Sequence, residues 1–467
     1  MSTPTDRAGD RVVVLGGGST GEAFVGALRR LDERVPITLV EQELVGGECS
    51  YFACMPTKAL LRPAEIVAAA RRAPGAAEAV TGELDPARVF WWRDQVTDGL
   101  DDSAQERWLA GRGVELVRGT ARIASPGVVD VDGRLIEYGK LVVATGSSAS
   151  APPIPGLAQV DYWTNREATT TNEVPKSLIV LGGGVVGTEL AQFFNRLGSA
   201  VTIVQDIDHL LPRDDPAAGR LLQEVFEAEG IEIRLNTLTE RVEKDGDRFR
   251  LFLPGGERIE GQRLLVATGR SPNVDGLGFE QLGIEIVRSG IVVGDDLRAA
   301  ENVWAIGDVN GIGLFTHVGK YQARIAAANV AGGDARADYR AVPAVAFTDP
   351  QVASVGTTAG EGLVTSSWKV SATARASTYE RPKRPGFVKL FADPDRGVLV
   401  GAAAVGPEAG EWLGQLTVAI RGEVPIDVLR DTIQPYPTFS EAIHFALRDL
   451  PLEAAERPDV LLTGRAA

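Results

Sequence analysis

The chain has 467 residues, of which 44% are hydrophobic and 24% are charged. That length predicts about three domains of ordinary size. The formal net charge of −15 argues against a nucleic-acid-binding or membrane-surface protein. No apolar run reaches the roughly 20 residues that a membrane-spanning helix needs. The start, Met1–Asp10, is too polar for a secretory signal, so we expect a cytoplasmic protein.

The first predicted elements form a dinucleotide-binding βαβ unit. A short apolar strand, Arg11–Leu15, is followed by a G-x-G-x-x-G motif at residues 16–21, a helix to Arg30 and a second strand, Ile37–Val40. Glycines at that spacing let a pyrophosphate approach the helix N-terminus, where unsatisfied N–H groups favour an anion. The glycines of the motif are Gly16, Gly18 and Gly21. Glu41, directly after the second strand, is predicted to accept hydrogen bonds from a ribose.

The two cysteines of the chain, Cys49 and Cys54, stand five positions apart. A disulfide across so short a loop stabilises a fold by only roughly 2 kcal/mol, and in a reducing compartment such a bond is more often catalytic or sensing. The alternatives are two buried thiols or half of a metal site. A metal site needs further ligands, and the three histidines (His209, His317 and His444) are distant in sequence. We therefore predict a redox-active pair and no metal site.

The βαβ pattern recurs later in the chain. A strand, Ser177–Leu181, leads into a second glycine motif at residues 182–187, a helix to about Leu197 and a strand, Ala200–Val204. The glycines of this motif are Gly182, Gly184 and Gly187. The repeat implies two bound dinucleotides. No arginine directly follows the strand Ala200–Val204, and the acidic residues among 205–208 would repel a 2′-phosphate. These residues favour NADH over NADPH. However, Gln205 stands where a strict NAD site carries Glu.

Three further strands end in small-residue turns. Two are followed by Ala-Thr-Gly, at residues 144–146 and 267–269, and the third by Gly307-Asp308. Such turns at the carboxyl ends of parallel strands are where these folds bind ligands. From about Pro343 the pattern changes to alternating strands (Val342–Thr348, Gly386–Phe391 and Val398–Val405) and a helix over Glu408–Ile420, which predicts a separate α+β domain.

Taken in order, these motifs resemble the pyridine nucleotide–disulfide oxidoreductases, a family that includes glutathione reductase, dihydrolipoamide dehydrogenase and mercuric reductase. The resemblance rests on both glycine motifs, the C-x4-C-x-P-[ST]-K segment, the Ala-Thr-Gly turns, Gly307-Asp308 and the segment Tyr436–Glu441. It implies an α/β fold with two Rossmann-type dinucleotide-binding domains and a C-terminal α+β dimerisation domain. The implied boundaries are 1–150 for the first part of the FAD-binding domain, 151–271 for NAD(P) binding, 272–341 for the central FAD-binding part and 342–467 for dimerisation. It also implies a homodimer whose active sites are completed by the neighbouring subunit.

The resemblance also implies roles for single residues. Cys54 would face the flavin of FAD, and Cys49 would exchange with the substrate. Lys58 would lie near the flavin N5 and pair with Glu189, while Asp308 would bind the ribityl chain. The catalytic set is Cys49, Cys54, Lys58, Glu189, Tyr436 and Glu441. The cofactor-binding set is Gly16, Gly18, Gly21, Glu41, Gly47, Lys58, Thr145, Gly146, Gly182, Gly184, Gly187, Gln205, Gly269, Asp308 and His317.

One position departs from the pattern of the disulfide-reducing members, which carry a His where this chain has Tyr436. A phenol is a weaker general base near neutral pH than an imidazole. Mercuric reductases and soluble transhydrogenases resemble this chain in having Tyr there. However, the former carry a further Cys pair near the C-terminus, absent from Asp459–Ala467, and the latter lack an intact redox pair.

The leading prediction is an FAD-dependent NAD(P)H oxidoreductase that passes electrons through Cys49 and Cys54 to a small disulfide or dithiol. A second hypothesis keeps the flavin but passes electrons to a quinone, a metal ion or another acceptor that needs no thiol protonation. A third is a nucleotide-binding redox sensor that turns over slowly. We interpret Trp91-Trp92 and His444 as packing residues rather than substrate contacts.

Overall fold

The computed structural model describes residues 8–452. The N-terminal residues 1–7 and the segment Asp459–Ala467, which enter two of the sequence arguments, lie outside the described residues. The described chain divides into two compact units. The first comprises the residues up to Ile66, Gly82–Asp208 and Phe226–Asp338, and the second comprises Val67–Thr81, His209–Val225 and the residues from Tyr339 onward. Among residues 8–452, none of the helices combines the length and the apolar character that crossing a membrane requires.

The elements of the first 170 residues are, in chain order, β1 (Val12–Leu15), α1 (Ser19–Leu31), β2 (Ile37–Glu41), α2 (Gly47–Tyr51), α3 (Cys54–Arg72), α4 (Pro86–Val96), α5 (Ser103–Ala110), β3 (Val114–Arg118), β4 (Ala121–Ser125), β5 (Val128–Val131), β6 (Arg134–Glu137), β7 (Lys140–Val143), β8 (Ser147–Ala149) and α6 (Asn165–Thr170). The next elements are β9 (Ser177–Leu181), α7 (Val185–Arg196), β10 (Ala200–Val204), α8 (Pro216–Ala228), β11 (Glu232–Arg234), β12 (Arg241–Asp245), β13 (Arg248–Phe252), β14 (Arg258–Gly261), β15 (Arg263–Val266) and β16 (Arg270–Pro272).

The remaining elements are β17 (Ile286–Val287), β18 (Gly290–Ile291), β19 (Arg298–Ala300), β20 (Val303–Ala305), α9 (Thr316–Val330), β21 (Pro343–Ala346), β22 (Gln351–Gly356), β23 (Val364–Lys369), α10 (Ala374–Tyr379), β24 (Phe387–Asp393), β25 (Val398–Gly406), α11 (Ala409–Trp412), α12 (Gly414–Arg421), α13 (Ile426–Asp431) and α14 (Glu441–Arg448).

Two mainly parallel sheets carry the glycine motifs. The first has the order β19-β20-β7-β1-β2-β3, with only β19 antiparallel to its neighbour. The second has the order β11-β10-β9-β15 and is entirely parallel. Their central strands, β1 and β9, are apolar runs with almost every residue buried, as expected for strands covered on both faces. Each glycine motif therefore begins directly after the carboxyl end of a central strand.

The second unit contains a five-stranded antiparallel sheet in the order β21-β22-β25-β24-β23. Helices α12 and α14 bury their apolar faces in the same core as this sheet. The predicted fold class, two Rossmann-type domains with a C-terminal α+β domain, is confirmed, while the exact domain boundaries stay a prediction.

Three details of the C-terminal prediction were wrong. The single helix expected over Glu408–Ile420 is two helices, α11 and α12, which are separated only by Leu413, a residue that itself has right-handed helical φ and ψ. Strands β22 and β23 were not predicted. The side chains of β23 alternate between half-buried and exposed at the sheet edge, so its sequence lacks a strong apolar signal.

Candidate active site

The first glycine turn is shaped by contacts that only glycine permits. Gly16 has φ of +100°, and a Cβ built on it would lie 2.3 Å from the Ala144 carbonyl oxygen. A Cβ on Gly21 would lie 2.1 Å from the Gly16 carbonyl oxygen. At Gly18, the N-cap of α1, no side chain caps the helix. The first N–H groups of α1 are therefore available to a phosphate, which fits the FAD expected there.

Glu41 is held at the edge of this turn. One carboxylate oxygen accepts the Gly17 N–H at 2.7 Å, and the other accepts the Glu43 N–H at 2.8 Å. Each oxygen keeps a further lone pair for a ribose hydroxyl. The geometry thus suits the ribose-binding role that the resemblance implies, which stays a proposal.

The redox segment touches the glycine turn through its backbone. The Gly46 N–H donates to the Gly17 carbonyl at 2.8 Å. Gly47 has φ of +59°, and a Cβ there would lie 2.8 Å from the Gly18 Cα. Helix α2, which carries Cys49, consequently begins against the turn, and Cys54 is the first residue of α3.

The two cysteines are half-buried free thiols joined by a hydrogen bond. The Cys54 Sγ also lies 3.4 Å from the Thr316 Oγ1, at the first residue of α9. The hydrogen bond from Cys49 lowers the pKa of Cys54 to about 6, against the effect of burial and with help from Thr316 and Lys58. The same hydrogen bond and burial raise the pKa of Cys49. Cys54 is therefore the thiol that ionises first, as a thiol facing an electron-accepting group should.

Lys58 and Glu189 form an ion pair between two helices. The ammonium of Lys58, on α3, lies 2.7 and 3.0 Å from the two carboxylate oxygens of Glu189, on α7. The Glu189 side chain is only 2% exposed. A carboxylate this buried depends on its cation, because burial of an unpaired charge is costly.

The second glycine turn repeats the first. A Cβ on Gly182 (φ +107°) would lie 2.5 Å from the Ala267 carbonyl oxygen, and one on Gly187 would lie 2.0 Å from the Gly182 carbonyl oxygen. The Gly183 N–H donates to the Gln205 Oε1 at 2.6 Å, just as Gly17 donates to Glu41 in the first turn. At Gly184, nothing lies within 4 Å of a built Cβ, so a ligand can approach the backbone there.

The two Ala-Thr-Gly turns meet. Their following strands, β8 and β16, pair with each other. The Thr145 Oγ1 donates to the Asn273 carbonyl at 2.8 Å, and the Asn273 Nδ2 donates to the Thr145 carbonyl at 2.9 Å. Gly146 and Gly269 both have positive φ, of +72° and +144°. Asn273 was not identified from the sequence.

Asp308 belongs to a short polar chain. Its carboxylate accepts the Ser147 hydroxyl at 2.6 Å, and the Ser147 Oγ accepts the Arg270 Nε–H at 2.7 Å. Asp308 was predicted from the sequence, whereas Ser147, Arg270 and Thr316 were not. Arg270 follows the second Ala-Thr-Gly directly, and that adjacency was the one available signal.

The roles of three further predicted site residues, His317, Tyr436 and Glu441, stay predictions. His317 is exposed and stacks on Phe315, with ring centroids 5.1 Å apart. Tyr436 is 76% exposed, and Glu441 begins α14 with a buried Oε2 that has no hydrogen-bond partner among the described residues. Both belong to the second compact unit. His444, also in that unit, packs half-buried with its ring edge-on to Phe445.

The packing interpretation of the tryptophan pair was wrong. Trp91 and Trp92 are 52% and 44% exposed, while Val89, Phe90 and Arg93 form the buried face of α4. Val89, Phe90 and Arg93 share one side of the helix at i, i+1 and i+4 spacing, and residues 91 and 92 fall on the opposite side.

Comparison with known proteins decides the family. The profile described as "Pyridine nucleotide-disulphide oxidoreductase" matches residues 10–335, and the dimerisation-domain profile of the same group matches residues 342–447. The chain belongs to this family. It is therefore an oxidoreductase of the FAD-dependent, NAD(P)H-using disulfide reductase group, and FAD is its expected cofactor.

Three similar proteins differ in their named activities. The chain is 36% identical to a mercuric reductase of Acidithiobacillus ferrooxidans over 92% of its own length and 81% of the relative. It is 35% identical to a dihydrolipoyl dehydrogenase of Thermus scotoductus, over 95% of this chain and 96% of the relative. The structure of the Cu(II) complex of RclA, an HOCl-induced flavoprotein disulfide reductase of Escherichia coli, is similar with a TM-score of 0.81 at 26% identity, covering 94% of this chain and 99% of that one.

A change at Thr316 tests the source of the Cys54 acidity. Thr316→Ala removes a hydroxyl that hydrogen-bonds the thiolate, so the pKa of Cys54 should rise from about 6 toward its ordinary value. The pH dependence of iodoacetamide alkylation of the reduced enzyme measures this pKa. Thr316→Ser keeps the hydroxyl and is the control. An unchanged alkylation profile in Thr316→Ala would show that the hydroxyl does not stabilise the thiolate.

Removal of one partner of the ion pair should cost stability. Lys58→Met leaves the buried Glu189 carboxylate without this ammonium and should lower the free energy of unfolding by about 2 kcal/mol. The double variant Lys58→Met/Glu189→Leu should regain most of that loss, because no buried charge is left behind. Thermal unfolding of the holoenzymes provides the measurement. A double variant that is less stable than the single one would contradict this account of the pair.

Proposed function

We propose that this protein reduces a small disulfide substrate with electrons from NADH, by way of bound FAD and the Cys49–Cys54 pair. The observation that carries the proposal is the pair itself: one thiol has a lowered pKa and the other a raised one, at a backbone that touches the first glycine turn. Two buried structural thiols would not need this asymmetry.

The proposed exchange uses two electrons and two protons. When bound, FAD would accept a hydride from NADH and pass two electrons on to the Cys49–Cys54 disulfide, opening it to two thiols with uptake of one further proton from solvent. The Cys49 sulfur would then attack the substrate disulfide, releasing one substrate thiol and forming a mixed disulfide. The Cys54 thiolate would displace the second substrate thiol from Cys49, which re-forms the internal disulfide.

The chain's own residues supply the electrostatics of these steps. Thr316 and Lys58 stabilise the Cys54 thiolate, so that it can donate charge and act as a nucleophile near neutral pH. Glu189 holds the Lys58 ammonium in place. Asp308, oriented by Ser147, offers a carboxylate to the ribityl hydroxyls of FAD.

The second glycine turn favours NADH as the electron donor. Gln205 donates through its Nε2 to the Asp206 Oδ1 at 3.1 Å, which places a carboxylate at the ribose end of the site. The Arg234 carbonyl accepts the Gln205 N–H at 2.8 Å, and the Arg234 guanidinium is engaged by Glu232 and Glu257 at 2.6 and 3.2 Å. A 2′-phosphate would thus meet negative charge rather than a free cation.

The dimerisation domain supports a homodimer, and we propose that the partner subunit contributes Tyr436 and Glu441 to each active site. Tyr436 is largely exposed in one subunit, as a residue that serves a partner would be. A cytoplasmic location fits the proposal, because a reducing compartment keeps such thiols in use for catalysis rather than for structure.

A second candidate acceptor is a soft metal ion. Mercuric reductases are among the most similar relatives, and RclA is described as a Cu(II) complex. Two neighbouring thiols, one of them acidic, are suitable ligands for such an ion. Reduction of a metal ion would also place less demand on a general base at Tyr436.

An anaerobic NADH titration tests the proposed electron path. We expect two electrons to produce a long-wavelength absorption from the Cys54 thiolate beside the flavin, and four electrons to be needed to bleach the flavin. Cys49→Ser should then abolish disulfide reduction. Bleaching with two electrons and no such absorption would exclude the cysteines from the path. Persistent reduction of quinones by Cys49→Ser would favour a quinone as the acceptor, whereas a soft metal ion that both thiols bind should be reduced by the unmodified enzyme and not by Cys49→Ser.

A second measurement tests the donor. The kcat/KM for NADH should exceed that for NADPH by about tenfold or more, because the 2′-phosphate faces the Asp206 carboxylate. Asp206→Asn should raise the NADPH-to-NADH ratio of kcat/KM several-fold, whereas Gln205→Glu, which adds a carboxylate, should lower it. Equal kcat/KM values for the two donors in the unmodified enzyme would contradict the assignment.

A further inference from the structure

Helix α6 is only six residues long, yet it is fixed at both ends. At its start, the Thr164 hydroxyl accepts an N–H of the first turn and the Glu167 carboxylate accepts the Thr164 N–H at 2.7 Å, which completes a capping box. At its end, the buried guanidinium of Arg93 donates to the carbonyl groups of Thr169 and Thr171 at 2.5 and 2.9 Å. A helix this short is not stable by itself, so these contacts are what hold it in place.

Two side chains of α6 donate hydrogen bonds to the same carbonyl group of the redox segment, Cys49–Cys54. The Asn165 Nδ2 and the Thr169 Oγ1 donate to the Phe52 carbonyl at 2.8 and 3.1 Å. Phe52 lies in the gap between α2, which carries Cys49, and α3, which begins at Cys54. Fixing this carbonyl fixes the relative placement of the two cysteine-bearing helices.

The Arg166 side chain also contacts the redox segment and the residues just before it. Its two terminal nitrogens bind the Glu43 carboxylate at 2.8 and 2.9 Å, and its Nε donates to Glu48, the residue before Cys49. The guanidinium also lies over the Phe52 ring, 4.1 Å from its centroid. One side chain therefore binds two carboxylates that precede the segment, at Glu43 and Glu48, and covers Phe52 inside it. A planar, bidentate and stacking contact of this kind needs arginine, because lysine offers only a point charge.

We propose that α6 is a clamp for the Cys49–Cys54 segment and that Arg166 is its main positioning residue. The inference deepens the proposed function and rests on it. A disulfide closes only when the two Cβ atoms are about 4 Å apart, and the proposed cycle opens and closes this bond in every turnover. The clamp keeps the two sulfur atoms within reach while they are reduced, and it keeps Cys54 beside Thr316.

The test compares three variants of the holoenzyme. Arg166→Gln removes the bidentate and stacking contacts, and Arg166→Lys keeps the charge alone. The matched control is Arg263→Gln, because Arg263 also pairs with a carboxylate (Glu173, at 2.8 Å) and lies near an aromatic ring but does not contact the redox segment. The readouts are the alkylation rate of the reduced thiols, the long-wavelength absorption of the two-electron-reduced enzyme, FAD content and thermal midpoint.

Arg166→Gln should speed alkylation by about fivefold and should at least halve the long-wavelength absorption with FAD content unchanged, because local opening exposes the thiols. Arg166→Lys should lie between Arg166→Gln and the unmodified enzyme, and Arg263→Gln should match the latter in both readouts. The clamp is refuted if Arg166→Gln and Arg263→Gln give the same alkylation rate and long-wavelength absorption. It is also refuted if, in both variants, these two readouts change only in proportion to a lower thermal midpoint. In either case Arg166 is a structural residue.

A second variant pair covers the case in which Arg166→Gln does not fold. Asn165→Ala/Thr169→Val removes both donors to the Phe52 carbonyl and should speed alkylation in the same direction, while Thr169→Ser retains its donor. Equal alkylation rates in the two variants would overturn the proposal. Failure of the proposed function is distinguishable, because an absent long-wavelength band in the unmodified enzyme would refute the electron path, while the alkylation comparison would still test the clamp.

Discussion

The placement of the redox centre depends on one backbone contact, the approach of Gly47 to Gly18. These two glycines belong to different motifs, and a single Cβ at Gly47 would stand 2.8 Å from the Gly18 Cα. Because side chains are excluded there, α2 begins directly on the turn at the N-terminus of α1. The first cysteine, two residues after Gly47, consequently lies close to that turn. The positions of Cys49, Cys54 and Lys58 follow from where α2 begins.

A second constraint concerns charge. The two thiols share one hydrogen bond, and their surroundings are unequal: Thr316 and Lys58 favour ionisation of Cys54, while burial and its neighbour disfavour ionisation of Cys49. Because of this inequality, two chemically identical side chains differ in their pKa, and Cys54 ionises more easily than Cys49. The negative charge stays on the cysteine that opens α3, at a helix N-terminus that favours an anion.

Much of this arrangement was predictable from the sequence, because its main signals are local. The glycine turns, Glu41 and the cysteines stand in short motifs whose spacing carries the geometry, and the structure agrees with the predicted strands to within a residue or two. The contacts made across long sequence separations were not predictable. Thr316 is 262 positions from Cys54, and neither composition nor periodicity marks a single threonine as the partner of a thiol.

Other errors have equally specific causes. The exposure of Trp91 and Trp92 depends on which face of α4 is covered, and that face is chosen by Phe90 and by the contacts of Arg93 to α6. Arg166 and Asn165 stand between the first Ala-Thr-Gly turn and β9, in a stretch that carries none of the predicted motifs. The capping box Thr164–Glu167 was a readable signal for α6, but the partner of that helix was not encoded locally.

The ion pair of Lys58 and Glu189 has a consequence for motion. It joins α3, which begins at Cys54, to α7, which packs on the second sheet. Large rotation of one nucleotide-binding fold against the other would have to separate the two charges and leave the Glu189 carboxylate buried without its ammonium, at a considerable free-energy cost. Exchange of the pyridine nucleotide is therefore expected to proceed by movements of side chains and loops at the mouth of the site, on a nanosecond-to-microsecond timescale, rather than by hinged opening of the two folds.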